Sequence, residues 1–287
     1  MKIKILLNTN PYFTASATAN RWLTLIEGLN KLKVVVQIVV VGNYQSKAEK
    51  NHKNSLIKNG IEVKYLASKV VAGLWQRRYY NYIGKYFQRS KIKFGLRKEI
   101  EDFDGILWAE NDLSIWKMIS DISNLSCKKI CEMSEFLNIH QYNKGNTFQA
   151  RVADEKQAYF ENTYIKQLDG LILMTKTLYE HYTGFSDHPP LLHLPMTVDL
   201  ERFSKEFVTP LDFEKPYIAY VGVMNDAKDG VSILIKAFNK ISKSYPKLKL
   251  YLVGDWNYDT PAHQKLIKDL ALEKSVFWVG EYPRDMI

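Results

Sequence analysis

The segment YIAYVGVMNDAKDGVSILIKAFNKI (217–241) decides the fold. An apolar run from Tyr217 stops at Gly222, a polar loop carries Asn225, Asp226 and Lys228, and an amphipathic pattern opens at Val231. A β-rich run, a loop and a helical pattern in that order make one βα unit. In open α/β folds ligands sit beyond the carboxyl ends of the strands, where helix N-termini offer amides to anions. Gly222 lets backbone approach such a ligand, and Lys228 supplies a point charge for phosphate. The alternative is that Gly222 only turns the chain and Lys228 is a solvated lysine. No G-x-G-x-x-G or Walker sequence is present to separate the two.

The alternation repeats in both directions. Downstream come KLKLYLVGD (247–255), HQKLIKDLALE (263–273) and SVFWVGE (275–281). Upstream, KIKILLN (2–8) reads as an opening strand, and ANRWLTLIEGLNKL (19–32) as a helix with Trp22, Leu25, Ile26 and Leu29 on one face. A buried strand at 34–41, a polar helix around 46–59 and a strand at 61–66 follow. A helical region spans 67–100, strands lie at 105–110 and 128–135, a helix at 151–167, and a strand at 169–175. Repeated βα units imply an α/β fold with parallel sheets. The proline-marked stretch HPPLLHLPMTVDLERF (188–203) divides the chain. Residues 1–195 read as one Rossmann-like domain and 196–287 as the start of a second. A doubly wound domain usually takes about 150 residues, so the second is expected to be incomplete, either as a fragment or as a minimal version.

Composition narrows the classes of function. Hydrophobic residues make up 46% and charged residues 25%, the balance of a globular protein with a real core. No apolar run nears the ~18 residues of a spanning helix; the longest, VVVQIVVVG (34–42), is broken by Gln37. Lys2 and Lys4 begin the chain like a signal peptide, but the apolar segment ends at Asn8 without a cleavage site, so a cytoplasmic location is expected. Cys127 and Cys131 suit a reducing compartment and cannot make a zinc site alone. The net charge of +9 attracts anions: nucleic acid, lipid head groups or phosphorylated sugars. Part of the excess lies in RRYYNYIGKYFQRSKIKFGLRK (77–98), where a helix puts Tyr79, Ile83 and Tyr86 near one face with Phe87 beside them. Such a helix either seeks a membrane surface or packs its aromatics on its own domain; the second is the simpler expectation.

Beyond these patterns, the segment 217–241 resembles the donor-phosphate loop of the large retaining glycosyltransferase family 4, which has the GT-B fold of two facing Rossmann-like domains. The family shows a strand, Gly-Arg, a loop, Lys-Gly and a helix with an L-x-x-A-F core; this chain has Gly222, Lys228, Leu234, Ala237 and Phe238. KLKLYLVGD (247–255) is similar to the strand ending in Val-Gly-x-Gly, through Gly254, and VFWVGEYPRDMI (276–287) to the V-x-F-x-G strand, through Val276, Phe277 and Gly280. LPMTVDLERF (194–203) resembles the interdomain P-N-G-V-D-x-x-x-F linker through Pro195, Val198, Asp199 and Phe203, and DGLILMTKTLYEHY (169–182) the strand and helix before it. There are three departures. Val223 stands where the family has Arg, Asp229 separates Lys228 from Gly230, and the acidic E-x7-E region is expected to follow residue 287. The 287-residue chain is therefore expected to be inactive alone.

The resemblance implies glycosyl transfer from a UDP- or GDP-sugar with retention, in polysaccharide or glycolipid synthesis, with no cofactor and no metal. It implies donor binding at Gly222, Asn225, Asp226, Lys228, Gly254, Gly280 and Tyr282, and charge stabilisation by Lys228 and the amides of 225–230. The N-terminal domain should hold a saccharide or lipid-linked acceptor, with Ser134 and Glu135 at the strand end where relatives carry a catalytic His, and Glu132 just before them. Ser16 and Thr18 in the first loop can donate to a sugar, though capping the next helix explains them equally well. Glu110 and Asn111 lie at a similar strand end. Asp102-Phe103-Asp104 matches the D-x-D manganese motif of the other glycosyltransferase fold but precedes its strand, and His140 reads as structural. A dehydrogenase would need a glycine-rich first turn, which TNPYFTASATAN (9–20) lacks. A nucleic-acid binder would need an RRM, KH or helix-turn-helix context, which is absent.

Overall fold

A computed structural model describes residues 1–14, 16–44, 47–51, 56–58, 60–66, 69, 75, 79, 83–100, 102–109, 119, 127–138, 147–198, 200, 213–254 and 259–280. The chain divides into two compact units, Met1–Asn138 with Arg151–Leu200, and Ile139–Ala150 with Glu201–Ile287.

The first unit is built on β1 (Lys2–Leu7), β2 (Val35–Val40), β3 (Leu56–Lys58), β4 (Ile61–Tyr65), β5 (Gly105–Ala109), β6 (Lys128–Met133), β7 (Gly170–Leu173) and β8 (Leu191–His193), in spatial order β3-β4-β2-β1-β5-β6-β7-β8. All pairings are parallel except β3 with β4. Strand β1 is the turning point: β2, β4 and β3 lie on one side of it and β5 to β8 on the other, which makes its carboxyl end the usual ligand crevice. Successive residues of the central strands serve opposite faces. Ile5 and Leu7 pack with Trp22, Ile26 and Ile38, whereas Leu6 packs with Val39, Ile106 and Trp108. Gln37, which interrupts the apolar run of β2, is buried and donates its amide to Glu62.

The helices of this unit are α1 (Ala17–Lys31), α2 (Lys47–Asn51), α3 (Lys85–Ile100), α4 (Thr147–Tyr159) and α5 (Lys176–Thr183). The polar helix expected over 46–59 stops at Asn51, and β3 replaces its end. The reason is local. Asn59-Gly60 is a favoured two-residue hairpin connection, Gly60 has φ 77°, and Lys58 pairs with Ile61. The helix expected at 151–167 begins at Thr147 and loosens into a π-turn, Phe160–Tyr164, and a 3-10 turn, Ile165–Gln167.

Around helix α3, the described aromatics of 77–98 do not pack on their own domain as expected, and the side chain of Tyr86 lies outside the described residues. Gln88, Ile92 and Leu96 are buried, and Glu99 meets both Lys4 (2.9 Å) and Lys64 (3.0 Å). Lys4 is itself sealed in β1, with Phe103 under its ammonium at 4.3 Å. These contacts fix the rotation of the helix. Phe87 and Phe94 consequently face solvent, as do Tyr79 and Ile83 before the helix. Lys91, Lys93, Arg97 and Lys98 are exposed around the two phenylalanines.

The second unit has three parallel strands, β9 (Tyr217–Val221), β10 (Lys249–Val253) and β11 (Val276–Gly280), in order β11-β10-β9. Its helices are the single turn α6 (Asp226–Asp229), α7 (Val231–Ser242) and α8 (Thr260–Asp269). Val231, Ile235 and Phe238 of α7 pack on Leu250 and Leu252.

Both units close the gap between their first two strands with glycine. A Cβ on Gly42 would lie 1.9 Å from the carbonyl oxygen of Asn8, and one on Gly254 would lie 1.9 Å from that of Gly222. Gly28 of α1 has open space around it. Gly42→Ala and Gly254→Ala should each cost ~2 kcal/mol or more through forced backbone displacement. Gly28→Ala should stabilise by ~0.5–1 kcal/mol as a helix-interior glycine. Urea denaturation of the three variants checks the opposite signs.

Candidate functional site

In the first unit, β1, α1 and β6 surround a pocket of about 230 Å³. Ser16, Thr18, Glu132, Ser134 and Glu135 line it, together with Asn8 and Trp22. Residues nominated from separate stretches of sequence thus meet at the carboxyl ends of the strands. Ser16 also performs its structural alternative: its Oγ accepts from the Ala19 amide (3.1 Å) as the N-cap of α1. Glu110, Asn111 and His140 lie outside the described residues.

The wall of this pocket depends on Arg21, which the sequence reading passed over. Arg21 and Glu132 are both buried, and Arg21 Nε donates to Glu132 Oε1 at 2.8 Å. Nη1 donates to the Pro195 carbonyl (2.6 Å) and Nη2 to that of Leu194 (2.7 Å). One guanidinium therefore joins α1, the end of β6 and the segment after β8. Burial pushes the Glu132 carboxyl above its usual range, and the Arg21 charge and hydrogen bond pull it back only in part. A signal did exist: an arginine beside Trp22 on the apolar side of an otherwise amphipathic helix needs an acid.

Asp102-Phe103-Asp104 lies at the opposite end of the sheet, where Asp104 accepts from the Lys2 amide at 2.7 Å. Cys127 and Cys131 are buried in the core.

In the second unit the three nominated glycines stand in a row across the strand ends. The Gly222 amide donates to Val253 (3.0 Å), the Gly254 amide to Gly280 (2.9 Å), and Trp278 Nε1 to the Gly254 carbonyl (2.9 Å). Gly280 has φ 87°. Tyr282 lies outside the described residues.

The loop itself corrects one expectation. The amides of 225–230 do not stand open as a group for an anion, because most are used internally. Asn225 N donates to Val223 O (2.6 Å), Asp226 N to Asp259 Oδ2 (3.0 Å), and Lys228 N to Asn225 Oδ1 (3.1 Å). Asp229 N donates to Asn225 O (2.9 Å) and Gly230 N to Asp226 O (3.1 Å). Short polar side chains near a helix start compete for such amides. Asp226 also accepts from the Ser232 amide in the first turn of α7 (2.7 Å) and meets His263 Nε2 at 3.2 Å. Burial works to raise its pKa, yet the bonds from Ser232 and His263 hold it below the usual carboxylate range. Gly230, at φ 65°, joins α6 to α7, which accounts for the displaced glycine after Lys228. Lys228 is exposed on α6.

Residues 201–287 match the family described as glycosyl transferases group 1. No curated protein matches the chain in sequence. Among solved structures, similarity extends to the lipopolysaccharide outer core galactosyltransferase WaaB, at 14% identity and TM-score 0.56, over 98% of this chain and 68% of that one. TarM aligns at 11% identity and TM-score 0.68, over 99% and 77%. The pneumococcal O-GlcNAc transferase GtfA, solved with UDP and GlcNAc, aligns at 10% and TM-score 0.60, over 100% and 77%. The chain has the GT-B fold. Family match and fold together support a glycosyltransferase enzyme.

Arg21→Met tests the buried pair. It strands Glu132 in the core and should cost about 3–5 kcal/mol at neutral pH. Folded Glu132 holds its proton more tightly than the unfolded chain does, so its contribution to stability is full at low pH and drains as pH rises through the folded pKa. Without Arg21 that loss steepens. The deficit against the parent, measured by urea melts, should therefore shrink on acidification.

Proposed function

We propose that the protein transfers a sugar from a UDP- or GDP-sugar to a saccharide or lipid-linked acceptor with retention, in cell-surface polysaccharide or glycolipid synthesis. The observation that carries this reading is the glycine row Gly222–Gly254–Gly280 beside the turn of Lys228, inside the segment matched to group 1 glycosyltransferases. Gly254 lets the strand ends close on one another, and Gly280 leaves open space where a side chain would stand, so backbone borders the proposed nucleotide site. As the bond to the diphosphate breaks, negative charge grows on the leaving group, and a cation fixed nearby lowers the barrier. Lys228 is that cation. Asn225 and Asp226 shape its turn, and a donor-binding role is proposed for Tyr282. Ser134 and Glu135 hold the acceptor hydroxyl, with Ser16 and Thr18 beside them, and acceptor binding is proposed for Glu110 and Asn111 as well. No cofactor or metal is invoked, the nucleotide sugar being a substrate.

The proposed setting is the inner face of a membrane, reached from the cytoplasm. No helix among the described residues is long and apolar enough to cross a bilayer, so contact is peripheral. Phe87 and Phe94 project from α3 among Lys91, Lys93, Arg97 and Lys98, which suits an anionic lipid surface.

Two measurements test these statements. Lys228→Ala should weaken UDP or GDP binding by about 2 kcal/mol, roughly 30-fold, as measured by calorimetry. A parent chain that ignores both nucleotides yet binds DNA in a salt-dependent way would point to the nucleic-acid alternative. The chain should also co-sediment with anionic vesicles and be released by salt. Phe87→Ser with Phe94→Ser should weaken that binding, and equal binding to neutral vesicles would overturn the electrostatic part.

A further inference from the structure

We infer that His263, on α8, is a positioning residue for the donor loop, acting on Lys228 through Asp226. This inference rests on the donor site proposed above and adds a residue that lies outside the loop. His263 is buried, with 4% of its surface exposed, although it belongs to a helix whose neighbouring positions Gln264 and Lys265 are both exposed. Its Nε2 lies 3.2 Å from Asp226 Oδ1, and its Nδ1 has no hydrogen-bond partner among the described residues. That pattern assigns the tautomer. A proton on Nε2 makes the bond to the carboxylate, and Nδ1 is left as a bare acceptor. The opposite tautomer would bury an unpaired N–H while setting a lone pair against Asp226.

Two residues at the start of α8 therefore brace one turn of chain. Asp259 accepts from the Asp226 amide at 3.0 Å, and His263 holds the Asp226 carboxylate on the Ser232 amide, itself 2.7 Å away. The braced turn is α6, whose third residue is Lys228. Asp226 has 41% of its side chain exposed, so without His263 it can leave Ser232 for water. The α6 turn would then lose the contact that ties it to α7. A merely structural histidine would instead contribute only to packing, and its effect on nucleotide binding would be independent of Lys228.

A double-mutant cycle on the full chain separates these cases, with UDP and calorimetry as probe and readout. His263→Leu should weaken UDP binding about tenfold, whereas His263→Gln, whose amide N–H can replace Nε2–H, should restore most of the affinity. In a Lys228→Ala background, His263→Leu should have little further effect, since residues acting through one contact are non-additive. Thermal unfolding of each variant verifies that it is folded at the assay temperature, and His263→Gln carries the test if His263→Leu is not. Full additivity of the two losses would overturn the inference, as would a His263→Leu affinity equal to the parent's. If Lys228→Ala alone weakens UDP while His263→Leu does not, the donor site stands and the positioning role falls. If the parent does not bind UDP, both fall together.

Discussion

A guanidinium withdrawn from water must have its hydrogen bonds supplied by the protein, and Arg21 has recruited three segments to do so. Its partners are the carboxylate of Glu132 and the carbonyls of Leu194 and Pro195, all within 2.8 Å. A hydrophobic pair of the same volume would often stabilise the unit as well or better, because desolvating two charges offsets much of their attraction. What an apolar pair lacks is direction. The fork geometry of arginine fixes where β6 ends relative to α1. The pocket walls at Ser16, Thr18, Ser134 and Glu135 inherit that placement.

The second constraint is steric and appears in each unit. Val41-Gly42-Asn43 and Val253-Gly254-Asp255 both follow the second strand, and both glycines sit against a carbonyl at the end of the first. With no Cβ, the second strand's exit passes directly over the first strand's, and the loop after the first strand is free to turn toward its helix. The same close approach gives the first unit its pocket beside β1 and gives the second its row of glycines. Evolution of different ligands on the two sites needs only different loops over the same crest.

What could be read in advance was whatever depends on local periodicity. Apolar runs marked the strands of both sheets, and glycines marked the carboxyl ends of the strands in the second. Contacts that depend on tertiary structure were not legible. Nothing near Phe87 in sequence shows that Glu99 will meet Lys4, 95 residues away, and turn the aromatic face outward. A polar composition does not carry a helix through 59 where Lys58 pairs with Ile61 and Gly60 takes a positive φ. Arg21 stands beside an apolar stripe already complete with Trp22, Leu25, Ile26 and Leu29, so its helix hints at a buried acid without naming Glu132, 111 residues away. Asp226 was nominated for the ligand, and nothing in its neighbourhood of sequence shows that His263 and Ser232 hold it.

On the proposed function, the loop after β9 would serve its site with fewer charges than the resemblance implies. The resemblance implies an arginine at 223, and the chain has an exposed valine there. Lys228 is then the cation of a turn that also carries Asp226 and Asp229. A lone lysine on a flexible turn would have to be ordered when the leaving group develops its charge, and that reorganisation would subtract from catalysis. Electrostatic stabilisation is effective when the stabilising groups are already in position. Here the amides of the turn are spent on Val223, Asn225, Asp226 and Asp259, so they contribute less directly to an anion but hold the turn in one shape. The trade is between open amides, which bind phosphate themselves, and a fixed backbone frame from which the Lys228 side chain extends. On the proposed function the diphosphate lies beside the glycine row, with its charge met by Lys228.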